Sequence, residues 1–582
     1  MRSITDELRT RYISDYLENA CLTNYKDVGA EWHYYEDLPS IETEGYPFAS
    51  DVYHPELGII KFDQYSDLSP EDQSKCRLRF HYLPPYHEIY LGGTGSGKTT
   101  GCIEPQLRAV SYQKNKPNLF ISDPKGELFD RNAQHLKDQG YKLFVLNFKD
   151  VTRTDKWNPL LDLYDNAIKE KTVGQGITTV EGAPDDTAVL MDEKNNFGDS
   201  FYLYKGMAFS TLSAVKTYSS YELDMIHAET ESALNQLVNV MIVVQSKKDI
   251  TWEQGAQNLL KGILLLMLDD ALDGRSGFTR DMMNLQNVLI YYNSLRNFVF
   301  SGKELEDHPL LRNRKDKRPF DLMSSALRNA GGTMRSYCGV FDTSMKEWFQ
   351  GHIFAITTGN TVDIEHLDEP FAIFLITRDY EKSDFLIAGI FIDWVYKVML
   401  RESEKGFATR ATHFLLDEFG NIPPIKDFEN KIATARSRNI WFHLVLQSFT
   451  QLDINYGSQV ASVIVDNCNS LVFLGSQNMK TKEFFSSQCG KHTVPQFGTS
   501  GENPLVEVPL LPISKLDLIK PGQLYVKRIF TPLILSEYVR SYHCAAHGSF
   551  AHWIDARGLK DCAPFMLEPF TDKKYIRSFS RL

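Results

Sequence analysis

Residues 92–99 read Gly-Gly-Thr-Gly-Ser-Gly-Lys-Thr, which satisfies the spacing G-x-x-x-x-G-K-[ST]. This is anion chemistry. Gly93, Gly95 and Gly97 let the backbone turn its N–H groups inward, forming a nest at a helix N-terminus where phosphates are favoured. Lys98 is placed to reach β- and γ-phosphates, and the Thr99 hydroxyl to ligate Mg²⁺. The cradle predicted for ATP comprises Gly92, Gly93, Thr94, Gly95, Ser96, Gly97, Lys98, Thr99 and Thr100. A chance glycine-rich loop is the plainer reading, but an apolar run precedes this loop and a helical pattern follows it, as the motif requires.

A second stretch, His-Phe-Leu-Leu-Asp-Glu (413–418), carries Asp417 and Glu418 to the polar end of an apolar run. Alone, such a pair is usually a solvated strand end. Downstream of a phosphate loop, Asp417 suits the Mg²⁺ shell and Glu418 suits polarising an attacking water. The adjacent glutamate favours hydrolysis over a passive nucleotide switch. Gln447 ends the run 441–448; it is either a γ-phosphate sensor or a strand-end amide bonded to a loop. Arg436 and Arg438 lie between these motifs, and a surface pair is the plainer reading beside an arginine finger. The basic run Arg-Asn-Arg-Lys-Asp-Lys-Arg (312–318) reads as a solvated face, with a phosphate-backbone groove as the alternative. Cys544, His547, His552 and Cys562 match no familiar zinc spacing and read as unligated.

The elements that must position these groups follow from the apolar pattern. Short runs at 87–92, 118–123, 142–148, 372–377, 413–418, 441–448 and 470–476 alternate with helical stretches and end in polar or small residues. Alternation of this kind predicts a mostly parallel sheet covered on both faces, with ligands at the strands' carboxyl ends. Between 195 and 350 the pattern turns helical, with no buried strand expected. In 252–268, Trp252, Ala256, Leu259, Leu260, Ile263, Leu264 and Met267 follow the helical period. The fold class predicted is α/β, a P-loop NTPase domain with an inserted all-α domain. The expected divisions are 1–80 (an amphipathic helix at 3–21, then irregular strands), 81–190 and 351–545 for the nucleotide domain, 191–350 for the helical domain, and a tail at 546–582. A flexible boundary is expected at 171–200.

The 582 residues carry a net charge of -12, so any nucleic-acid contact must use a local patch or pore rather than a basic surface. Eight scattered cysteines without a C-x-x-C pair fit reduced thiols. Runs such as 262–270 and 370–377 fall short of the ~18 apolar residues that a membrane span needs. The first thirty residues lack a signal-peptide pattern. No base-reading motif stands out.

Several stretches add specificity beyond the phosphate loop: Ile-Ser-Asp-Pro-Lys-Gly-Glu-Leu-Phe-Asp (121–130), 142–148 with Lys-Trp-Asn-Pro-Leu (156–160), 252–265, the block 414–457, and 465–476. In this order they resemble the coupling proteins of type IV secretion, the ring ATPases of bacterial conjugation, over residues 85–530. The resemblance implies a RecA-like domain with an all-α domain, assembled as a homo-hexamer around a pore carrying single- or double-stranded DNA. It places Gln447 at the phosphate sensor and Arg436 at the trans-acting arginine, with Arg438 as fallback. It implies as partners relaxase and relaxosome proteins, the secretion channel and the channel's other ATPases.

Family members usually begin with transmembrane helices, and this chain shows none. The expectation is a natural form in the cytoplasm, peripheral at the inner face of the bacterial cell membrane. A separate membrane-anchoring partner would recruit it, and in isolation it would be monomeric. Two rivals share the scaffold: a receptor ATPase for effector proteins without DNA, and a nucleotide-dependent assembly factor. A chromosome or plasmid translocase lacks such a helical insertion.

Overall fold

The short apolar runs become the strands of one nine-stranded sheet. In chain order they are β1 (Glu88–Leu91), β2 (Asn118–Ser122), β3 (Lys142–Asn147), β4 (Phe371–Ile376), β5 (Thr412–Leu416), β6 (Ile440–Leu446), β7 (Ser470–Phe473), β8 (Gln523–Arg528) and β9 (Ile534–Glu537). Their spatial order is β9-β8-β7-β1-β6-β5-β2-β4-β3. All neighbours are parallel except at β7–β8 and β8–β9. Every residue of β1, β2, β4, β5, β6 and β7 is buried. A strand covered on both faces has no polar side to show, hence the continuous apolar runs in place of alternation. β8, near the edge, alternates.

The computed structural model describes residues 31–34 and 46–538, apart from 61–63, 65–66, 175–188, 192–200, 205–206, 210–211, 245–249, 329–330, 366, 379–380, 405–409, 423, 496–504 and 532. The expected helix at 3–21, most of the expected boundary at 171–200, and the Cys544, His547, His552 and Cys562 set lie outside the described residues. The described residues divide into two compact units. One is built from residues up to Thr154 and from Asp363 onward, the other from Asp155–Val362.

In the first unit, helices α1 (Glu104–Tyr112) and α2 (Glu127–Asp138) cover the sheet. Leu107 and Val110 of α1 and Leu128, Phe129, Ala133 and Leu136 of α2 join strand residues in one core. A four-stranded antiparallel sheet (Glu31–Tyr34, Tyr46–His54, Gly58–Ile60, Arg77–Leu83) precedes β1. Its Tyr46 stacks on His413 and His443 at 4.5 and 4.2 Å.

Those histidines belong to a buried polar chain across three strands. His413 on β5 meets His443 on β6 (Nδ1 to Nε2, 2.8 Å), and His443 Nδ1 meets Glu88 Oε2 on β1 at 3.0 Å. Tyr90 Oη donates to the same carboxylate oxygen at 2.6 Å. Burial drives the His413 pKa well below its usual value, and His443 and His87 add to the effect. Burial pushes the Glu88 carboxyl up, but the His443 bond and Arg528 outweigh it and hold it below the usual range. The carboxylate, the two rings and the Tyr90 hydroxyl satisfy one another here, which is how such groups persist in a core.

The second unit contains α3 (Leu161–Gly174), α4 (Leu212–Met241), α5 (Thr251–Asp273), α6 (Leu285–Phe300), α7 (Arg318–Leu327), α8 (Gly331–Met345) and α9 (Gly351–Thr357). On α5, Ala256, Leu259, Leu260, Ile263, Leu264 and Met267 are all buried, as the period predicted, while Trp252 is half-buried. Two α5 glycines permit close approach. A Cβ at Gly255 would stand 2.2 Å from the Tyr337 ring of α8, and one at Gly262 2.4 Å from Met323 of α7. The architecture is thus a RecA-like α/β domain with a helical domain inserted in its sequence.

Three details differ from the sequence reading. The segments Val189–Met191, Phe201–Tyr204 and Met207–Phe209 form a small antiparallel sheet where no strand was expected. Strands of three or four residues are too short to declare a period. The helical unit also begins at Asp155 rather than after residue 190 and runs to Val362. α3 packs on α4 and α5, and Arg280 clamps Asp165 of α3 with two bonds of 2.9 and 2.8 Å. Finally, the run 312–318 is not one solvated face. Arg314 is buried and paired with Asp270 at 2.5 Å, and Arg318 is held by Asp316 and Glu231. Among the described residues, no helix is long and apolar enough to cross a membrane.

Candidate functional site

β1 ends at Leu91, and the chain turns through the glycine loop at the carboxyl edge of the sheet. Gly95 and Gly97 adopt φ of +79° and +92°, a region open to glycine at no steric cost. The loop is fixed on two sides: Gly92 N–H donates to Leu446 O of β6, and Gly93 N–H to Gly475 O just beyond β7 (2.8 Å). It runs into a π-helical turn, Lys98–Ile103, that continues as α1.

The structure brings the two motifs together. Thr99 Oγ1 donates to Asp417 Oδ2 at 2.8 Å, joining residues 318 apart in sequence. Asp417 directly follows β5, two strands from β1, and is buried. Burial raises its carboxyl pKa and nearby Glu418 adds to the rise, while the Thr99 bond opposes it. Lys98 Nζ donates to the Gly92 and Gly93 carbonyls. Burial lowers its pKa, against the pull of Asp417 and Glu418. A hydroxyl and a carboxylate side by side are hard oxygen donors, the few protein ligands Mg²⁺ takes alongside water and phosphate. Thr99 and Asp417 therefore fit the ion.

Glu418 sits at φ +54°, a left-handed conformation that costs a non-glycine residue about 1–3 kcal/mol. Asn421 Nδ2 donates to its Oε2 at 2.9 Å, and Lys125 Nζ lies 3.7 Å from Oε1. Lys125 is presented by the turn between β2 and α2. There the Asp123 carboxylate accepts from the Gly126 and Phe129 N–H groups at 2.9 and 2.8 Å. Burial pushes Asp123 up to about 7, with those two bonds opposing and Asp417 adding.

Gln447 follows β6, immediately beside the phosphate-loop strand. Its backbone N–H donates to Gln451 Oε1 at 2.9 Å. Gln451 also belongs to the capping box of α11 (Phe449–Tyr456) and lies against Gly420, where a Cβ would stand 2.5 Å from its amide. Asn455 Nδ2 donates to Gly420 O at 2.8 Å. The loop after Glu418 is thus tied to the helix after Gln447.

Arg436 is not part of this cluster. It follows α10 (Phe428–Ala435) and precedes β6, so the seven-residue strand separates it from Gln447 by about 23 Å at ~3.3 Å per residue. It is exposed, its guanidinium 5.8 Å from the Tyr86 ring. Arg438 is tied down within the chain by Thr434 O and Ser437 Oγ, with Glu404 at 3.6 Å.

Sequence reasoning missed Tyr538. Its hydroxyl donates to Ser96 O at 2.6 Å, and its buried ring lies under the loop. A Cβ at Gly97 would stand 2.7 Å from Tyr538 Oη, and one at Gly101 2.2 Å from the ring. No local signal announces a partner 442 residues away from Ser96. Lys125, Asn421 and Gln451 were visible only as members of longer motifs, with no role of their own.

A family model described as Type IV secretory system Conjugative DNA transfer matches residues 71–505. No curated protein matches the sequence. Among solved structures, the bacterial conjugative coupling protein TrwBdeltaN70 in its unbound monoclinic form is 15% identical with a TM-score of 0.50, over 86% of this chain and 96% of that one. At that identity the likeness is one of fold. The plasmid coupling protein TrwB in complex with ADP and Mg²⁺ is 14% identical (TM-score 0.49; 86% and 96% covered). VirB4 of Thermoanaerobacter pseudethanolicus is 11% identical (TM-score 0.43; 86% and 98%).

Proposed function

The chain belongs to the type IV secretory system conjugative DNA transfer family, and from that membership we propose that it is an ATP-hydrolysing coupling protein, recruiting a relaxosome substrate and driving it into a secretion channel. The observation that carries the hydrolytic part is the Thr99–Asp417 hydrogen bond beside Lys98 and Glu418. It sets metal-binding oxygens, a phosphate-binding ammonium and a second carboxylate around one loop.

In this mechanism the Gly93–Thr99 backbone holds the phosphates, and Lys98 leaves the loop carbonyls for the β- and γ-phosphate oxygens. Thr99 and Asp417 would hold Mg²⁺, which when bound neutralises charge on the phosphates. Glu418 orients the attacking water and takes up its proton. Gln447, adjoining the loop strand, responds to the γ-phosphate and passes its loss through Gln451 to the Gly420 loop. Arg436 lies too far along β6 to reach its own site. It acts on a neighbour's, which requires a head-to-tail ring, here a homo-hexamer around DNA. The ring works at the inner face of the membrane.

The test is steady-state ATP hydrolysis with and without single-stranded DNA across a salt series, with Lys98→Ala as control. Stimulation should fade with salt, binding falling with a slope of about -0.7 per neutralised phosphate. Hydrolysis indifferent to DNA would replace this reading with export of effector proteins. No turnover in any condition would leave a nucleotide-dependent assembly factor.

A further inference from the structure

Residues 121–126 carry the chain from the end of β2 toward α2, and all of them are buried except Lys125. Its backbone sits in a built turn. Pro124 fixes the second position, and Gly126 N–H donates both to Asp123 O at 3.0 Å and to Asp123 Oδ1 at 2.9 Å. Asp123 N–H anchors the turn to Leu375 O of β4 at 2.9 Å. A turn pinned in this way around one exposed ammonium leaves only the lysine's side-chain torsions free.

That ammonium faces the phosphate site. Nζ lies 3.7 Å from Glu418 Oε1, while Asn421 holds Oε2. Lys98 feels its charge: burial is the main cause of the lowered Lys98 pKa, and Lys125 adds to it. Two ammoniums facing one space repel until an anion comes between them. The Lys125–Glu418 pair is also loose. It is longer than the ~2.7–2.9 Å of a tight charge-assisted bond. The lysine side chain is 58% exposed, and a pair so placed holds its members weakly. A terminal phosphate, with more oxygens and more charge than one carboxylate, competes well for such a lysine.

We propose that Lys125 is a latch on Glu418 that the γ-phosphate opens. With a triphosphate bound, Lys125 moves from Glu418 Oε1 to the γ-phosphate oxygens and frees Oε1 for the attacking water; with a diphosphate it stays on Glu418. Lys98 then serves both nucleotides, whereas Lys125 reads the triphosphate alone. The assignment rests on the phosphate-loop reading above, and the following measurement separates the two. Calorimetric Kd values are taken for Mg–ADP and for the Mg complex of the non-hydrolysable imido analogue of ATP, with the full chain. The proteins are wild type, Lys125→Ala, Lys125→Arg, Glu418→Gln and the double variant Lys125→Ala/Glu418→Gln. Losing one charge-assisted contact should weaken the analogue about tenfold in Lys125→Ala while Mg–ADP stays within about twofold of wild type. Lys125→Arg, which keeps the charge, should recover most of the loss. Glu418→Gln removes the competing carboxylate and should bind the analogue several-fold more tightly than wild type, a gain that vanishes in the double variant. Retained Mg–ADP binding certifies that the loop is folded. Equal weakening of both nucleotides in Lys125→Ala overturns the assignment, as does an unchanged affinity for the analogue. A Glu418→Gln protein without the gain, or one that keeps it when Lys125 is gone, overturns the latch. Wild type that binds neither nucleotide removes the phosphate-loop reading itself.

Discussion

Gly101 lies outside the phosphate-loop motif, and helix propensity alone recommends replacing it. Alanine in place of glycine inside a helix gains about 1 kcal/mol. The structure reverses the sign. A Cβ at Gly101 would stand 2.2 Å from both Cδ2 and Cε2 of Tyr538, where carbon atoms normally keep ~3.5–4.0 Å apart. The ring cannot swing aside, because it is buried and its hydroxyl is bonded to Ser96 O. Overpacking of this kind costs about 1–3 kcal/mol, and a clash with two ring atoms belongs in the upper part of that range. The net expectation is a loss of about 1–2 kcal/mol.

The relief must come from the turn that carries Lys98 and Thr99, which has to shift by roughly 1 Å. A misplacement of that size costs up to about 10²-fold in rate. Gly101→Ala should therefore lower ATP turnover 10- to 100-fold and lower the Tm. Adding Tyr538→Ala should restore part of the turnover, because the clash goes with the ring. Turnover and melting of both single variants and the double variant form a cycle in which the two sites must be strongly non-additive. A stabilised, fully active Gly101→Ala would refute the clamp.

Lys98→Ala should abolish turnover and nucleotide binding together. Glu418→Gln should lower turnover by at least about 10² while nucleotide affinity is retained, since only the proton acceptor is lost; lost binding would mean that Glu418 has another role. Arg436→Ala should lower hydrolysis in assembled protein, and wild type mixed with Glu418→Gln should give rates that depart from the sum of the parts. Strict additivity would remove the trans-acting arginine. Asp123, held up to about 7 by burial, binds its proton more tightly folded than unfolded. Its contribution is therefore present at low pH and is lost as pH rises from about 4 through 7. Asp123→Asn should flatten that part of a Tm-against-pH curve, and an unchanged slope would assign it to another group.

What the sequence disclosed was whatever chemistry is local. Lys98 and Thr99 announce themselves by their spacing from glycines, and Asp417 and Glu418 by ending an apolar run. α5 could be placed because its apolar residues recur over about four turns. What it hid was set through space. Tyr538 on Ser96, Lys125 on Glu418 and Gln451 on Gly420 act on groups brought close only by the strand order, which no single segment encodes. The charge run 312–318 misled for the same reason: whether an arginine is solvated depends on what folds over it, and Asp270 on α5 draws Arg314 inside. The hairpin at 201–209 is too short for periodicity to reveal.

The chain from His413 through His443 to Glu88 stitches the amino ends of β5 and β1 to the middle of β6. Those strands carry at their other ends the acidic pair, Gln447 and the phosphate loop. With their roots stapled, they cannot slide past one another when phosphate is lost; they behave as a single anvil. Motion has to be released at the tips, in the Glu418–Ile422 and Gln447–Gln451 turns that Gln451 and Asn455 lash together. On the proposed function, work drawn from the nucleotide is exported by two short hinges above a stiff bed, and the compliance of those hinges, more than that of the sheet, sets how far each stroke reaches.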